Sequence, residues 1–426
     1  MTSPIWHPFT QHKIFPDAVE IESAEGVYLN ASDGRKILDG ISSWWINIHG
    51  HCHPPIVKAV QEASGKVDQV IFAGFTHKPA EDLAAELMKV TGDHLTRVFF
   101  SDSGSTSVEV AMKMAVGYWH NEGHPRKKIV ALEGGYHGDT FGTMAAGARS
   151  VYNAAYDPFL FDVVHIPFPE GDGNNTMLAL TNLLAEHHHE IAAFIAEPLV
   201  QGAGGMNMYS PAVLRDLYDM CKSHDVFFIA DEVMTGWGRT GTRWACDQAK
   251  FTPDILCSSK GLTGGYLPLA VTMCSERIYQ GFYSDDRAKT FFHSSSFTGN
   301  AIACAAALAS LKLWEEEPVQ ERINNVSAWH KEFLPKLAAR KDVTNARQCG
   351  TIAAIDIKTS KEGYLSNIGP ELYKFYLKHE ILLRPLGNTV YILPPYCITK
   401  SELERIYECI TRSLDHIRNV GEQRAA

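Results

Sequence analysis

No run of the 426-residue chain approaches the roughly 18 uncharged apolar residues that a membrane-spanning helix needs. No apolar stretch follows the N-terminal MTSPIWHPFTQHK, so a secretory signal is not expected. No two cysteines form a CxxC pair. Nine are scattered from Cys52 to Cys409, an odd set that fits free, mostly buried thiols in a reducing, cytoplasmic compartment. Positive charge is in deficit, with 39 Lys+Arg against 49 Asp+Glu and a net charge of −10. That argues against a chain-wide nucleic-acid surface and against a polybasic membrane anchor. Internal repeats and low-complexity tracts are missing. What remains is 45% hydrophobic and 21% charged, a composition that supports a large core and rules out disorder for the bulk of the chain.

The first 50 residues read as irregular with short strands, including a hairpin over residues 24–38 that turns at Asn30-Ala31-Ser32-Asp33-Gly34. From Pro54 the rhythm changes. Helical patterns are predicted over 55–69, 79–90, 106–120, 179–188 and 211–224, and short apolar strands over 95–100, 128–133, 163–166, 191–196, 226–230 and 255–258. This is the βα alternation of a mostly parallel sheet covered on both faces. A second shift comes near residue 315, where Glu315-Glu316-Glu317-Pro318 ends an Ala-rich helix. Beyond it lie helices over 319–337 and 401–417 and strands over 343–346, 352–357 and 390–393, a smaller α+β domain. The expected division is residues 1–50 as an N-terminal segment joining the small domain, 51–314 as the large domain and 315–426 as the C-terminal small domain.

Four motifs invite readings that their contexts do not support. Gly236-Trp237-Gly238-Arg239-Thr240-Gly241 matches G-x-G-x-x-G, but it sits in mid-chain, and Arg239, Arg243 and Trp244 do not resemble the start of a buried helix. His49-Gly50-His51-Cys52-His53 has metal-ligand residue types without a second cluster, and His187-His188-His189 reads as a polar helix end. Ser103 lies outside any G-x-S-x-G.

Three other segments lie at the ends of strands, where α/β sites form. The strand at 95–100 runs into Ser101-Asp102-Ser103-Gly104-Ser105-Thr106 and a helix, which is either an anion cradle of free N–H groups or a simple cap. The strand at 226–230 ends in Asp231-Glu232. A buried Asp there is costly unless it meets a cation such as a protonated pyridine nitrogen, or closes an internal salt bridge. The next strand ends in Ser258-Ser259-Lys260-Gly261. Read with Asp231, Lys260 suggests a Schiff-base lysine facing a pyridoxal ring.

These residues carry a resemblance that spans nearly the whole chain. Ser103-Gly104-Ser105, Tyr136-His137-Gly138, Glu197-Pro198, the run Asp231 to Gly241, Ser259-Lys260-Gly261 and Phe297-Thr298-Gly299-Asn300 are similar, in order and spacing, to the class III aminotransferases. That resemblance implies the α/β fold type I of pyridoxal 5′-phosphate (PLP) transferases, with a mostly parallel seven-stranded sheet and a small domain built from both chain ends. It implies Lys260 as the lysine that holds PLP and moves the proton, and Asp231 as the partner of the ring nitrogen. Tyr136 is implied as the ring-stacking residue, Gly104 and Ser105 as phosphate ligands, and Ser296 as a phosphate contact from a second subunit, hence a homodimer with active sites at the interface. Asp139 and Arg239 are implied as a pair near the donor side, and Glu197 as a group that neutralises an arginine or tunes the site.

Within the class, Trp6-His7-Pro8-Phe9-Thr10-Gln11, Ser42-Ser43-Trp44-Trp45 with His49-Gly50-His51, and Arg384-Pro385-Leu386-Gly387 leading to Tyr391 resemble the branch that serves biotin synthesis. This implies amination of 8-amino-7-oxononanoate to 7,8-diaminononanoate by a ping-pong route, with Trp44 lining the pocket, Arg384 on the acceptor carboxylate and Tyr391 beside it. The donor implied is S-adenosylmethionine. Phe9, where that type carries Tyr, resembles the lysine-using pattern instead. Ser294, in His293-Ser294-Ser295-Ser296-Phe297, departs from the commoner sequence and bears on the acceptor region. The alternative is another class III enzyme acting on an ω-amino acid or diamine. No metal is expected.

Overall fold

Seven strands form the large sheet, one more than the alternating pattern predicts. A computed structural model places them in the order Leu95–Ser101, Ala270–Ser275, Ile255–Ser258, Phe227–Asp231, Ile191–Ala196, Lys128–Leu132, Val164–Ile166. The structure describes residues 4–15, 17–359 and 363–425, so the expected outer limits at 1 and 426 lie outside the described residues. The unforeseen strand is Ala270–Ser275, which runs antiparallel to both neighbours while the remaining pairs are parallel. It returns from Ile255–Ser258 through residues 259–269, which hold a single 3-10 turn, Lys260–Thr263, and no α-helix, so the βα rhythm carries no sign of it.

Both faces of the sheet are covered. Along Phe227–Asp231, Phe228 and Ala230 join one core cluster and Phe227 and Ile229 the other. A strand buried on both sides has no polar alternation, which is why it reads as an unbroken apolar run. The helix Gly104–Asn121 packs on one face, its start fixed by a reciprocal cap between Ser103 and Thr106. The helix predicted over 55–69 is Pro54–Ser64, ending at Gly65.

The chain beyond residue 315 forms a three-stranded antiparallel sheet, Val343–Cys349, Ile352–Ile357 and Thr389–Ile392, with helices Val319–Ala338 and Lys400–Ala425. A helix at Ile368–Lys378 was not foreseen. Its first turn, Ile368-Gly369-Pro370, reads as a loop, yet proline is tolerated where no N–H bond is required. The N-terminal strands are Ile21–Glu25, Tyr28–Ala31 and Lys36–Asp39. The last of them pairs in parallel with Ile381–Leu382, so both ends of the chain share one sheet.

Because Leu95–Ser101, Lys128–Leu132, Ile191–Ala196, Phe227–Asp231 and Ile255–Ser258 all point one way, their C-terminal ends share one edge. Ser103, Tyr136, Glu197, Asp231 and Lys260 each follow one of those ends. Among the described residues, no helix is long and apolar enough to cross a membrane.

Candidate active site

Asp231 closes the central strand and is 4% exposed. Its Oδ2 accepts from His137 Nδ1 at 2.7 Å and its Oδ1 from the Val233 N–H at 3.2 Å. Burial alone would lower the pKa of His137, but the hydrogen bond and charge of Asp231, with Glu197 behind, outweigh it and raise it. Glu232, next in sequence, serves the fold: it accepts from Thr235 and from the N–H groups of Ala245 and Cys246.

Lys260 sits in the turn after Ile255–Ser258 at a φ of 46°, its Nζ 5.4 Å from the centre of the Trp45 ring. Among the described residues it makes no ion pair with a carboxylate. Burial lowers its pKa, Asp231 and Glu197 oppose that, and Arg239 adds to it. A larger fraction of the amine is therefore neutral, and nucleophilic, than in a solvated lysine.

Glu197 is buried and accepts from the Tyr136 N–H at 3.0 Å and the Gly202 N–H at 2.9 Å. No arginine pairs with it among the described residues, so its role in neutralising an arginine has no basis in this geometry. Burial pushes its pKa up to about 7, with Asp231 also raising it, while His137 and the two N–H groups hold it down. A group whose folded pKa exceeds its unfolded value lends stability that is fully present below the unfolded pKa and lost as pH rises through the folded one. For Glu197 that window runs from 4.5 to about 7. In Glu197→Gln this part of the decline should disappear, so its stability relative to wild type rises across the window by an amount on the order of 3 kcal/mol. The amide also sets an N–H donor against one of the two backbone donors, a cost that does not vary with pH. The slope in pH-dependent denaturant unfolding is therefore the test, and parallel curves would refute the assignment.

Tyr136 lines a cleft of about 270 Å³ together with Asp139, Tyr152, Tyr364 and Thr389. Burial, then the adjoining Asp139, raises its hydroxyl pKa. At the start of Gly104–Asn121, Thr106 N–H is capped by Ser103, while the N–H groups of Gly104 and Ser105 have no partner among the described residues. Gly104 also allows close packing, since a Cβ there would lie 2.6 Å from Val233 Cγ1.

A second group of predicted residues gathers at the mouth. Trp44 is 42% exposed, with the Phe9 ring at 5.8 Å and the Arg384 guanidinium at 5.3 Å. Arg384 donates to the Phe9 carbonyl at 2.7 Å. Phe9 touches Tyr152, and Tyr152 touches Tyr364, so the aromatic wall runs on into the cleft. Tyr391 is buried beneath, its hydroxyl accepting from Trp45 Nε1 at 2.9 Å. The adjacent tryptophans thus divide, Trp45 into the core and Trp44 to the mouth.

Ser294 and Ser296 lie on an exposed surface segment and are not brought to either group. Asp139 and Arg239 are not a pair. Arg239 is 1% exposed and donates to the carbonyls of Pro394, Trp45 and Asn47, whereas Asp139 lies at the exposed cleft. The histidines at 49–53 each turn to a protein partner: His49 meets Ser310, His51 meets Asp39 and His53 meets Glu317. Among the described residues no group of three or more His, Cys, Asp or Glu is placed to hold a metal. Sequence reasoning passed over His137 as a functional residue although it stood inside a quoted motif. For Tyr152 and Tyr364 the sequence carries no signal.

Comparison with known proteins places the chain in a family. An adenosylmethionine-8-amino-7-oxononanoate aminotransferase of Synechococcus elongatus is 47% identical over 423 residues, 97% of this chain and 99% of the relative. The one from Helicobacter pylori is 37% identical, covering 97% and 96%. The crystal structure of the Methanocaldococcus jannaschii enzyme of the same name superposes with a TM-score of 0.93 at 35% identity, covering 97% of each chain. An amine transaminase from an uncultivated Pseudomonas species in its PLP-bound form superposes at 0.91 with 28% identity, covering 97% and 99%. The family described as Aminotransferase class-III matches residues 10–414, and the chain belongs to it.

Proposed function

We propose that the chain transfers an amino group from S-adenosylmethionine to 8-amino-7-oxononanoate, giving 7,8-diaminononanoate, in two stages at one site. One observation carries this reading. The Ser42–Trp45 turn sets Trp45 against the Lys260 amine and Trp44 against the Arg384 guanidinium, at 5.4 and 5.3 Å. An amine suited to carbonyl chemistry and a planar fork suited to a carboxylate thus stand on either side of one turn.

The residues fit pyridoxal 5′-phosphate. Two adjacent free N–H groups, of Gly104 and Ser105, open an 18-residue helix and suit a phosphate. Asp231 has acceptor capacity left for a ring N–H. When bound, the cofactor supplies an aldehyde that condenses with amines and a ring that takes up the electron pair left when a proton departs. Lys260 Nζ would be the amine that holds it, and would then serve as the base that takes the proton from the donor Cα and as the acid that delivers it to the carbon of the former aldehyde. Asp231 would keep a proton on the ring nitrogen, His137 fixes the orientation of that carboxylate, and Tyr136 would offer its ring to the cofactor for stacking. Arg384, released from the Phe9 carbonyl, binds the acceptor carboxylate. Trp44 and Phe9 wall the entrance, Tyr391 supports it through Trp45, and Ser294, exposed in this subunit, would border the acceptor region only from a second copy.

The fuller arrangement is a homodimer in which Ser296 of one subunit reaches the phosphate of the other. Exposed Phe141, Phe159, Phe292 and Phe297 supply an apolar surface for the second copy to cover. The division into residues 1–50 with the small domain, 51–314 and 315–426 is supported by the sheet shared between the chain ends. Nine free cysteines fit a cytoplasmic protein. Lysine as donor is the second reading, because Phe9 lacks the hydroxyl that would bind the other donor.

Half-reactions test this. PLP-loaded protein given S-adenosylmethionine alone should lose its visible absorbance and regain it on addition of 8-amino-7-oxononanoate. Arg384→Ala should raise the KM of the keto acid without slowing the first stage. Loss with lysine but not S-adenosylmethionine would transfer the assignment to the second reading. Loss with no recovery on the keto acid would refute the acceptor.

A further inference from the structure

Ser42, Ser43 and Trp45 have φ of 53°, 57° and 66°, the left-handed region that residues with a Cβ seldom occupy. Ser43 adds a ψ of −96°, and Trp44 between them returns to φ −117°. The segment has no glycine to make this easy. Such a turn persists only when its surroundings over-determine it.

Asp39 is what determines it. The residue is fully buried, with 0% exposure. Its Oδ1 accepts from the Ile41 N–H at 3.0 Å and its Oδ2 from the Ser43 N–H at 2.6 Å, so one carboxylate fixes the entry and the most strained residue together. The same Oδ2 meets His51 Nε2 at 2.9 Å. Asn47 settles which nitrogen of His51 carries the proton. Its Oδ1 is taken by the Gly50 N–H at 2.8 Å, so its amide nitrogen, 3.2 Å from His51 Nδ1, is the donor there. Nδ1 accepts, and Nε2 donates to Asp39. The turn has further ties, Ser42 Oγ to the Leu393 carbonyl, Trp45 N–H to the Ile41 carbonyl, Trp45 Nε1 to the Tyr391 hydroxyl, Arg239 to the Trp45 carbonyl, and the Ile46 and Asn47 N–H groups to the Ser42 carbonyl, but none of them touches Ser43.

The turn sends two consecutive indoles into different surroundings. Trp45 lies over the Lys260 amine and against Gly202, where a Cβ would come within 3.1 Å of its ring, while Trp44 faces Arg384 and Phe9. We propose that Asp39 and His51 are positioning residues, a carboxylate–imidazole pair that holds Ser42–Trp45 in its left-handed form and so fixes Trp44 and Trp45 for acceptor binding. This rests on the reading of the Lys260 site given above. Neither residue of the pair reaches that site itself.

His51→Ala removes the donor, and His51→Gln returns an N–H at similar reach. KM and kcat for 8-amino-7-oxononanoate, thermal unfolding, and the near-ultraviolet circular dichroism of the unloaded chain separate the outcomes. His51→Ala should raise KM about tenfold, change kcat less than threefold and alter the tryptophan bands, and His51→Gln should restore both KM and bands. Asp39→Asn should act in the same direction and more strongly. A fall in melting temperature with KM and bands unchanged would make the pair structural only and overturn the proposal. If His51→Ala does not fold, the double variant with Ser43→Gly decides, since glycine takes this φ without strain: wild-type-like bands support the proposal, and disordered bands overturn it. Were the wild-type chain inactive on the keto acid, the functional reading would fall while the circular dichroism comparison still judged the pair.

Discussion

Lys260→Ala stops transfer while leaving a folded protein. The loss of its proton-moving amine alone is expected to cost roughly 10²–10⁴ in turnover, and the loss of the covalent attachment point adds to that. Stability should not fall with it. The Lys260 ammonium is desolvated, lies over an indole and makes no carboxylate ion pair among the described residues, so folding gains little from it and pays its burial. The alanine variant should therefore melt at or above the wild-type temperature. Added small primary amines should recover part of the proton transfer, because the space left by the side chain lies beside Trp45. Single-turnover rates with loaded cofactor, followed with and without such an amine, measure this. A variant that keeps more than a tenth of wild-type turnover would remove Lys260 from the chemistry.

The same residue shows how much of the site the sequence made legible. Ser103, Asp231 and Lys260 each stand at the end of an apolar strand, and strands in a parallel sheet end on one edge. The strand endings could therefore be aligned before any coordinates existed. Arg239 was misplaced for a related reason. It belongs to the run from Asp231 to Gly241, but its guanidinium turns inward to three carbonyls, and the direction of a side chain in a glycine-rich loop leaves no periodic trace. Ala270–Ser275 was hidden because a strand returning with no intervening α-helix breaks the alternation that announces the others. Tyr152 and Tyr364 were hidden because they meet across 212 positions of chain at a ring separation of 4.7 Å, in segments with no pattern of their own. Asp39 lies one residue beyond the expected hairpin of residues 24–38 and carries no mark of its own in the sequence. Its work depends on the left-handed turn that follows, which four residues with side chains do not advertise.

Asp231→Asn is the second large effect, and its pH dependence identifies the cause. The substitution keeps one acceptor oxygen and replaces the other with an NH₂ group facing the His137 Nδ1 proton. Removing an electrostatic partner of the reacting group costs about 10²–10³ in rate, and here the ring nitrogen loses the anion that keeps it protonated. Lys260 should still hold the cofactor, so the visible absorbance remains while proton removal slows. Stability changes in a defined direction. With Asp231 present, the His137 pKa is raised, so the pair lends stability below the unfolded value of 6.5 that is lost as pH rises through the folded value. In Asp231→Asn, burial is left to push His137 the other way, and the stability gap from wild type should be widest in acid and narrow as pH rises. Glu197 loses the negative charge of Asp231, but as His137 gives up its proton it also loses the larger, opposing influence of the imidazolium, so its pKa should stay at or above about 7. Denaturant unfolding at several pH values, beside stopped-flow half-reactions, tests both parts. A first-stage rate within threefold of wild type would mean that the ring nitrogen has another partner, and a stability gap that widens with pH would mean that His137 is not held as an imidazolium by this carboxylate.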